Sequence, residues 1–463
     1  MITVHSVFIT VMLLWVVPAL HPQMPSPSKP DLITYLPAGK SAYQHFAEET
    51  ENMLHADVLD VWYPRSIDNI HGGFNADFAR DWTPLPSNGK FSVFQGRMTW
   101  VAAQVVLRRP ALRQQYLPYV RHGADYLANV MWDKQDGGFF WGLADDGSIS
   151  PAFTDHKHLY GISFCIYGLA AAYQATGDAR DLELAQRAFR WTDDHAHDAK
   201  NGGYFEWLTR NGTPLQAEPY AATVATAGGF PVGYKSMNTH IHLLESFTEL
   251  LRVWPDPVLR SRVAELQHLV RDVITVEPGA MNLYFTNAWQ AVPENDSYGH
   301  DVEVTYLTNE AEEVLAHAGA SVSPADRDRT EKVGRMLMDH ALAYGWDSTH
   351  GGLYHSGPFI GSPNDFLKEW WVQMESLNTL LLLHERYGRT TDVYWKAFQL
   401  QWHWIQQYQL DHQFRGEYAL IKPDGTPVST QKGQMWKGAY HEARALMNVN
   451  ERLQHLAAGS APN

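Results

Sequence analysis

A Gly-Gly-aromatic turn followed by a short extended segment keeps returning along the chain: HGGFNADF at Gly72, DGGFFWGL at Gly137, NGGYFEWL at Gly202, HGGLYHSG at Gly351 and FRGEYALI at Gly416. A degenerate copy, MNLYFTNAW, falls at Asn282, and the successive offsets are 65, 65, 80, 69 and 65 residues. Self-similarity at a nearly fixed period marks a repeat architecture, here with six units. Each interval has room for two helices, and apolar residues at helical spacing supply them. The expected hairpins are 91–107 with 112–131, 157–175 with 181–195, 238–254 with 257–273, 300–316 with 324–344, and 368–387 with 391–409. The segment 436–455 takes 42–63 as its partner. Six hairpins that each bury one side against neighbours can close into a ring with no exposed terminal repeat. The expected fold is an all-α (α/α)6 barrel, an inner and an outer ring of six helices. Small β-hairpins are expected at one rim, where glycine supplies positive φ.

Length alone would suggest about three domains, but the repeat makes 39–463 one catalytic-sized ring. Apolar residues at 45% and 17 tryptophans are enough for a large core, which excludes a disordered chain. A net charge of −15 disfavours nucleic acid and anionic membranes as partners, because both call for basic patches. A neutral small molecule fits better, and the protein is expected to be a monomer or homodimer. Cys165 is the single cysteine; it lies in an apolar helical stretch and reads as core. Residues 1–38 carry an apolar run too short to span a bilayer comfortably, and read as an export signal and linker outside the fold. Exported or periplasmic location follows; Met24 as the true start would leave the protein cytoplasmic.

Unusual polar residues recur at one phase of the repeat, in the helix after each turn. They are Arg97 in QGRMTW, Lys157 and Tyr160 in DHKHLYG, His242 and Glu245 in MNTHIHLLE, His300 and Glu303 in YGHDVEVTY, Trp370 and Trp371 in KEWWVQMES, and Trp436, Tyr440 and His441 in MWKGAYHEAR. The alternate helices, such as DLELAQRAFRW, show ordinary amphipathic patterns with charges toward solvent. The first set therefore lines the barrel, and six motifs converge at one end of it. Within Lys235–Trp254, Asn238 or Thr239 is the expected N-cap. His242 and Glu245 are three apart and share a face, where the carboxylate would make the imidazole more basic. His240 and His242 are split to different sides of the helix, and no HExxH or cysteine cluster exists, so no metal or other cofactor is expected. His195 and His197 end an outer helix and read as structural.

The motifs GRMTW, KHLYG, MNTHIHLLE, YGHDVE, KEWWVQME and KGAYH, in that order and spacing, resemble the N-acylglucosamine 2-epimerase superfamily, and within it the cellobiose 2-epimerases. The resemblance covers nearly all the chain after Ala42. It implies an (α/α)6 barrel that epimerises C2 of a reducing-end sugar with no metal or nucleotide in the chemistry. It also implies His300 and His441 as the acid/base pair, with Arg97, His242, Glu303 and Glu375 around them. The chain departs from the pattern in Tyr306, where the family usually has Trp, and in the insert Leu215–Phe230.

The chemistry can be set against the residues directly. Inverting C2 of an aldose needs ring opening, removal of the proton beside the carbonyl, and return of a proton to the opposite face of an enediol. Two histidines from different inner helices, His300 and His441, can serve the two faces. Glu303, one turn from His300, could orient it; Arg97 could hold the enediolate; His242 could serve the ring oxygen. Tyr160, Asn238, Trp370, Trp371, Glu375 and Trp436 are the candidate substrate-binding residues. Adjacent helical residues point about 100° apart, so Trp371, which shares a face with Glu375, is the expected sugar platform and Trp370 the packing residue. N-acylglucosamine epimerisation and aldose-ketose isomerisation of mannose are alternatives on the same scaffold. A glycoside hydrolase using a carboxylate pair among Asp155, Glu303 and Glu375 is a remoter one.

Overall fold

The computed structural model describes residues 33–215 and 231–459. The export-signal reading and almost all of the Leu215–Phe230 insert lie outside the described residues. Among the described residues, twelve long helices alternate between two rings in chain order: α1 (Lys40–Met53) and α2 (Ser92–Arg108), α3 (Arg113–Tyr126) and α4 (Leu159–Thr176), α5 (Ala179–Ala196) and α6 (Met237–Val253), α7 (Pro257–His268) and α8 (Tyr298–His317), α9 (Pro324–His340) and α10 (Trp370–Tyr387), α11 (Val393–Trp404) and α12 (Tyr440–Ala458). Even-numbered helices pack in sequence on one another, and α12 packs back on α2, closing the inner ring. Each inner helix also packs on the outer helix that follows it, with α1 completing the set against α12. This is the (α/α)6 barrel, hairpin for hairpin. No helix among the described residues is long and apolar enough to cross a membrane.

Local signals explain the boundaries. Outer α9 opens with a capping box between Ser323 and Asp326, and α7 has Pro257 in its first turn after the cap Asp256. Inner α4 is apolar nearly all round and buried along most of its length, Cys165 included, as a helix must be that is walled by neighbours on every side. It approaches α2 closely because both carry glycine at the crossing: a Cβ on Gly96 would stand 2.2 Å from the Phe164 carbonyl oxygen. The cap of α6 is Ser236, not Asn238 or Thr239: its Oγ accepts from the Thr239 backbone N–H at 3.1 Å. The helix therefore starts earlier, which moves Asn238 into its first turn and frees that side chain for the cavity.

The expected rim hairpins are mostly something else. The two-residue strand before each of α2, α4, α6, α8 and α10 pairs antiparallel with the segment after the next turn, Lys90–Phe91 with Gly142–Leu143 and Lys157–His158 with Trp207–Leu208 for example. The strands thus tie neighbouring repeats together, and a bridge between Phe78 and Gly433 joins the first repeat to the last. Behind them runs a ladder of buried ion pairs. Lys90 meets Asp68, Lys157 meets Asp133, Lys235 meets Asp198, Lys368 meets Asp347 and Lys432 meets Asp411, at 2.8 to 3.1 Å. These lysines also donate to turn carbonyls, Lys235 to Gly202 at 2.6 Å and Lys368 to Gly351 at 2.6 Å. Lys157, expected at the barrel mouth, instead belongs to this ladder.

Candidate active site

The N-terminal turns of the inner helices surround one cavity of about 590 Å³, whose wall includes Arg97, Tyr160, Asn238, His242, His300, Glu303, Trp370, Trp371, Trp436 and His441. Ten of the eleven expected site residues thus meet in one place. Parallel helices that aim their N-termini at one cavity also give it a positive potential suited to a developing oxyanion.

Each histidine is held through Nδ1 by a different partner. His242 meets Glu245 at 2.9 Å, His441 meets Glu375 at 2.8 Å, and His300 meets the Ser297 hydroxyl at 2.7 Å. In each case the Nε2 edge is left for a ligand. Ser297, not Glu303, orients His300. The carboxylate beside His242 does not make it basic either: burial outweighs it and holds both His242 and His300 down to about 3. Burial, with the positive charge of Arg97 next, holds His441 well below its ordinary value. All three imidazoles are therefore neutral at physiological pH and able to accept a proton. Burial acts oppositely on Glu375, raising its carboxyl to about 8 against the pull of Arg444.

Beneath the histidines lies a residue that sequence reading passed over. Arg444, fully buried on α12, donates through Nη1 to Glu245, and through Nη2 to Glu303 and to Glu375 at 2.6 Å. One guanidinium thus fastens carboxylates from three inner helices, two of which orient His242 and His441. Its signal was present in MWKGAYHEAR, three residues after His441 and so on the same helix face. Glu375, expected as a substrate-binding residue, is fully buried in this network and does not reach the cavity wall. It acts through His441, which covers it. The hydrolase pair is not assembled either: Glu375 is withdrawn from the cavity, Glu303, which does reach its wall, is tied to Arg444, and Asp155 is half-exposed beside His156.

Residues 72–445 match N-acylglucosamine 2-epimerase (GlcNAc 2-epimerase). The chain belongs to that family. A cellobiose 2-epimerase from Bacteroides fragilis is 28% identical over 410 residues, covering 87% of this chain and 98% of the relative. The solved cellobiose 2-epimerase of Spirochaeta thermophila is 29% identical with a TM-score of 0.77, covering 89% of this chain and 98% of that one. A D-mannose isomerase from Marinomonas mediterranea is 21% identical over 434 residues, covering 89% of this chain and 99% of the relative. This family member is a carbohydrate epimerase or isomerase. Its Tyr306 touches no part of the cavity: the ring lies 5.9 Å from the Arg444 guanidinium and lines a second cavity beyond that arginine. The exchange of a usual Trp for Tyr therefore falls under the arginine and not on the sugar.

Arg97 lies over the Phe164 and Tyr440 rings, at 4.3 and 4.8 Å, and donates to the Tyr160 hydroxyl at 3.1 Å. Its Nε and the Asn238 Oδ1 are buried without a protein partner. The two tryptophans divide as expected by exposure, though both reach the wall. Trp370 is 3% exposed. Trp371 is half-buried, its Nε1 donating to Glu369 at 2.7 Å and its ring 4.8 Å from His300 and 5.6 Å from His441. Trp371→Ala is accordingly expected to weaken sugar binding with little loss of stability. Trp370→Ala should lower the melting temperature, since deleting a buried aromatic costs about 3–5 kcal/mol. Calorimetry and kinetics that show the reverse pattern would exchange the two roles.

Proposed function

We propose that this enzyme inverts C2 of the reducing-end aldose of a cellobiose-like β-1,4-disaccharide. The observation that carries the reading is the pair His300 and His441, on inner helices two apart in the ring, bracketing the same Trp371 ring. A sugar held against the edge of that indole would have its C2 between two imidazoles from different helices. His242 relays the O1 proton to the ring oxygen as the hemiacetal opens. His300, neutral and held by Ser297, takes the C2 proton. Arg97 stabilises the enediolate. The Glu375–His441 pair returns a proton to the other face: the raised Glu375 carboxyl holds one near neutral pH, and His441 passes it on as Glu375 reprotonates Nδ1. In the reverse direction the two histidines exchange roles. A disaccharide is favoured because the cavity, about 590 Å³, is lined by Tyr284, Asn295 and His355 in addition to the histidine cluster.

The test is incubation in deuterated water with cellobiose, N-acetylglucosamine, mannose and glucose. Solvent deuterium at C2 of the reducing-end residue of cellobiose is expected, with the 2-epimer as product. Deuterium at C1 of a ketose product from mannose would make the enzyme an aldose-ketose isomerase instead. Exchange confined to N-acetylglucosamine would shift the substrate to the acylamino sugars.

A further inference from the structure

The ladder of lysine–aspartate pairs has one gap, and what fills it has a different chemistry. Four lysines of the ladder, Lys90, Lys157, Lys235 and Lys368, stand two residues before an inner helix; the residue at that position before α8 is Asp296. Its carboxylate meets Asp301 of α8 and His340 at the end of α9. One ligand-type atom from each of the three lies within 4.8 Å of the others, and all three side chains are fully buried. In repeats one, three and five the side chain at the position of Asp301 bonds the backbone of the adjoining turn: Gln95 accepts from Phe74, His240 from Tyr204 and Gln373 from Leu353. Neither Asp301 oxygen has such a partner, and Asp296 Oδ2, His340 Nδ1 and the Tyr298 hydroxyl are unpartnered as well.

The histidine shows what is missing. His340 Nε2 donates to the Phe359 carbonyl at 2.7 Å. A carbonyl only accepts, so Nε2 carries a proton, and Nδ1 is a lone pair whenever the ring is neutral. That lone pair faces Asp296 Oδ2 at 3.4 Å and Asp301 Oδ2 at 3.6 Å. Three acceptors pointed at one another in a dry site repel unless something positive sits among them. Among the described residues no lysine or arginine forms an ion pair with either carboxylate, whereas the comparable Glu303–Glu375–His441 group holds Arg444. Ligands at about 2.0–2.2 Å from one ion stand about 3.0–3.5 Å apart in octahedral or tetrahedral arrangement, close to the separations observed. A ligating imidazole that gives its other N–H to a backbone carbonyl is the usual outer support of such a site.

We propose that Asp296, Asp301 and His340 bind one divalent cation of the Zn2+ or Mn2+ class, which takes in the fourth repeat the place a lysine ammonium takes in the other five. One imidazole and two carboxylates suit that class better than Mg2+, and the ion's charge balances the two carboxylates. It is no part of the sugar chemistry. It would brace the strand whose next residue, Ser297, holds His300. Spacing in the sequence carries no sign of the site, because its members come from a strand, an inner helix and an outer helix.

The experiment is elemental analysis of the purified full-length protein, then calorimetric titration of chelator-stripped protein with ZnCl2 and with MnCl2. One equivalent per chain is expected, with a melting temperature that rises by a few degrees at saturation. Asp301→Asn and His340→Gln should each weaken binding by at least about tenfold and remove the rise. His340→Gln can keep the bond to Phe359, so it decides the matter if Asp301→Asn does not fold. No bound metal and no titration would overturn the proposal in favour of a proton shared by the two carboxylates. Binding that both variants retain unchanged would overturn it in favour of the acidic surface.

Discussion

His300→Ala and His441→Ala are each expected to lower kcat by about two to four orders of magnitude, the usual scale for removing a positioned acid or base. His300 is held by Ser297 just before its own helix, and His441 reaches across to Glu375 of α10, which Arg444 holds as well. Their loss should leave the far-ultraviolet dichroism and the unfolding midpoint nearly unchanged. The two variants differ in a way that checks the division of labour. With cellobiose in deuterated water, the variant lacking the base for a given direction should neither exchange nor turn over, while the other can still exchange the C2 proton through the histidine it keeps. Near-normal turnover in either variant would remove that residue from the mechanism.

Arg444→Met is expected to lose about 3–5 kcal/mol of stability, measured by denaturant unfolding, because it leaves Glu245, Glu303 and Glu375 buried without their cation. Activity should fall with it, since two of those carboxylates orient His242 and His441. Arg444→Lys should rescue little. A single ammonium keeps the charge but cannot present the fork that reaches three carboxylates at once. A lysine variant with normal stability and rate would show that charge alone is needed, and that the multiple hydrogen bonds are incidental.

The glycine turns and the helical spacing between them determined the ring, its pairing of helices and which helices face inward, because these follow from local conformational preference and from burying one face of each hairpin. Phase within the repeat was enough to bring Arg97, Tyr160, Asn238, His242, His300, Trp371, Trp436 and His441 to one mouth. What sequence could not determine was the partner of each charged group. Glu303 was expected under His300 by helical spacing, yet it turns to Arg444 because a buried guanidinium from another helix attracts it more strongly than a neutral imidazole one turn away. Glu375 was expected in the cavity and Lys157 at its rim, and both are withdrawn into ion pairs that exist only once the ring closes. The protonation states depended on closure in the same way. A carboxylate beside His242 predicts a basic imidazole, whereas the depth at which the folded ring places the pair makes desolvation the larger effect. Asp296, Asp301 and His340 are the extreme case, since nothing along the chain relates them and only the packing of α8 on α9 puts their unpartnered atoms in one dry pocket.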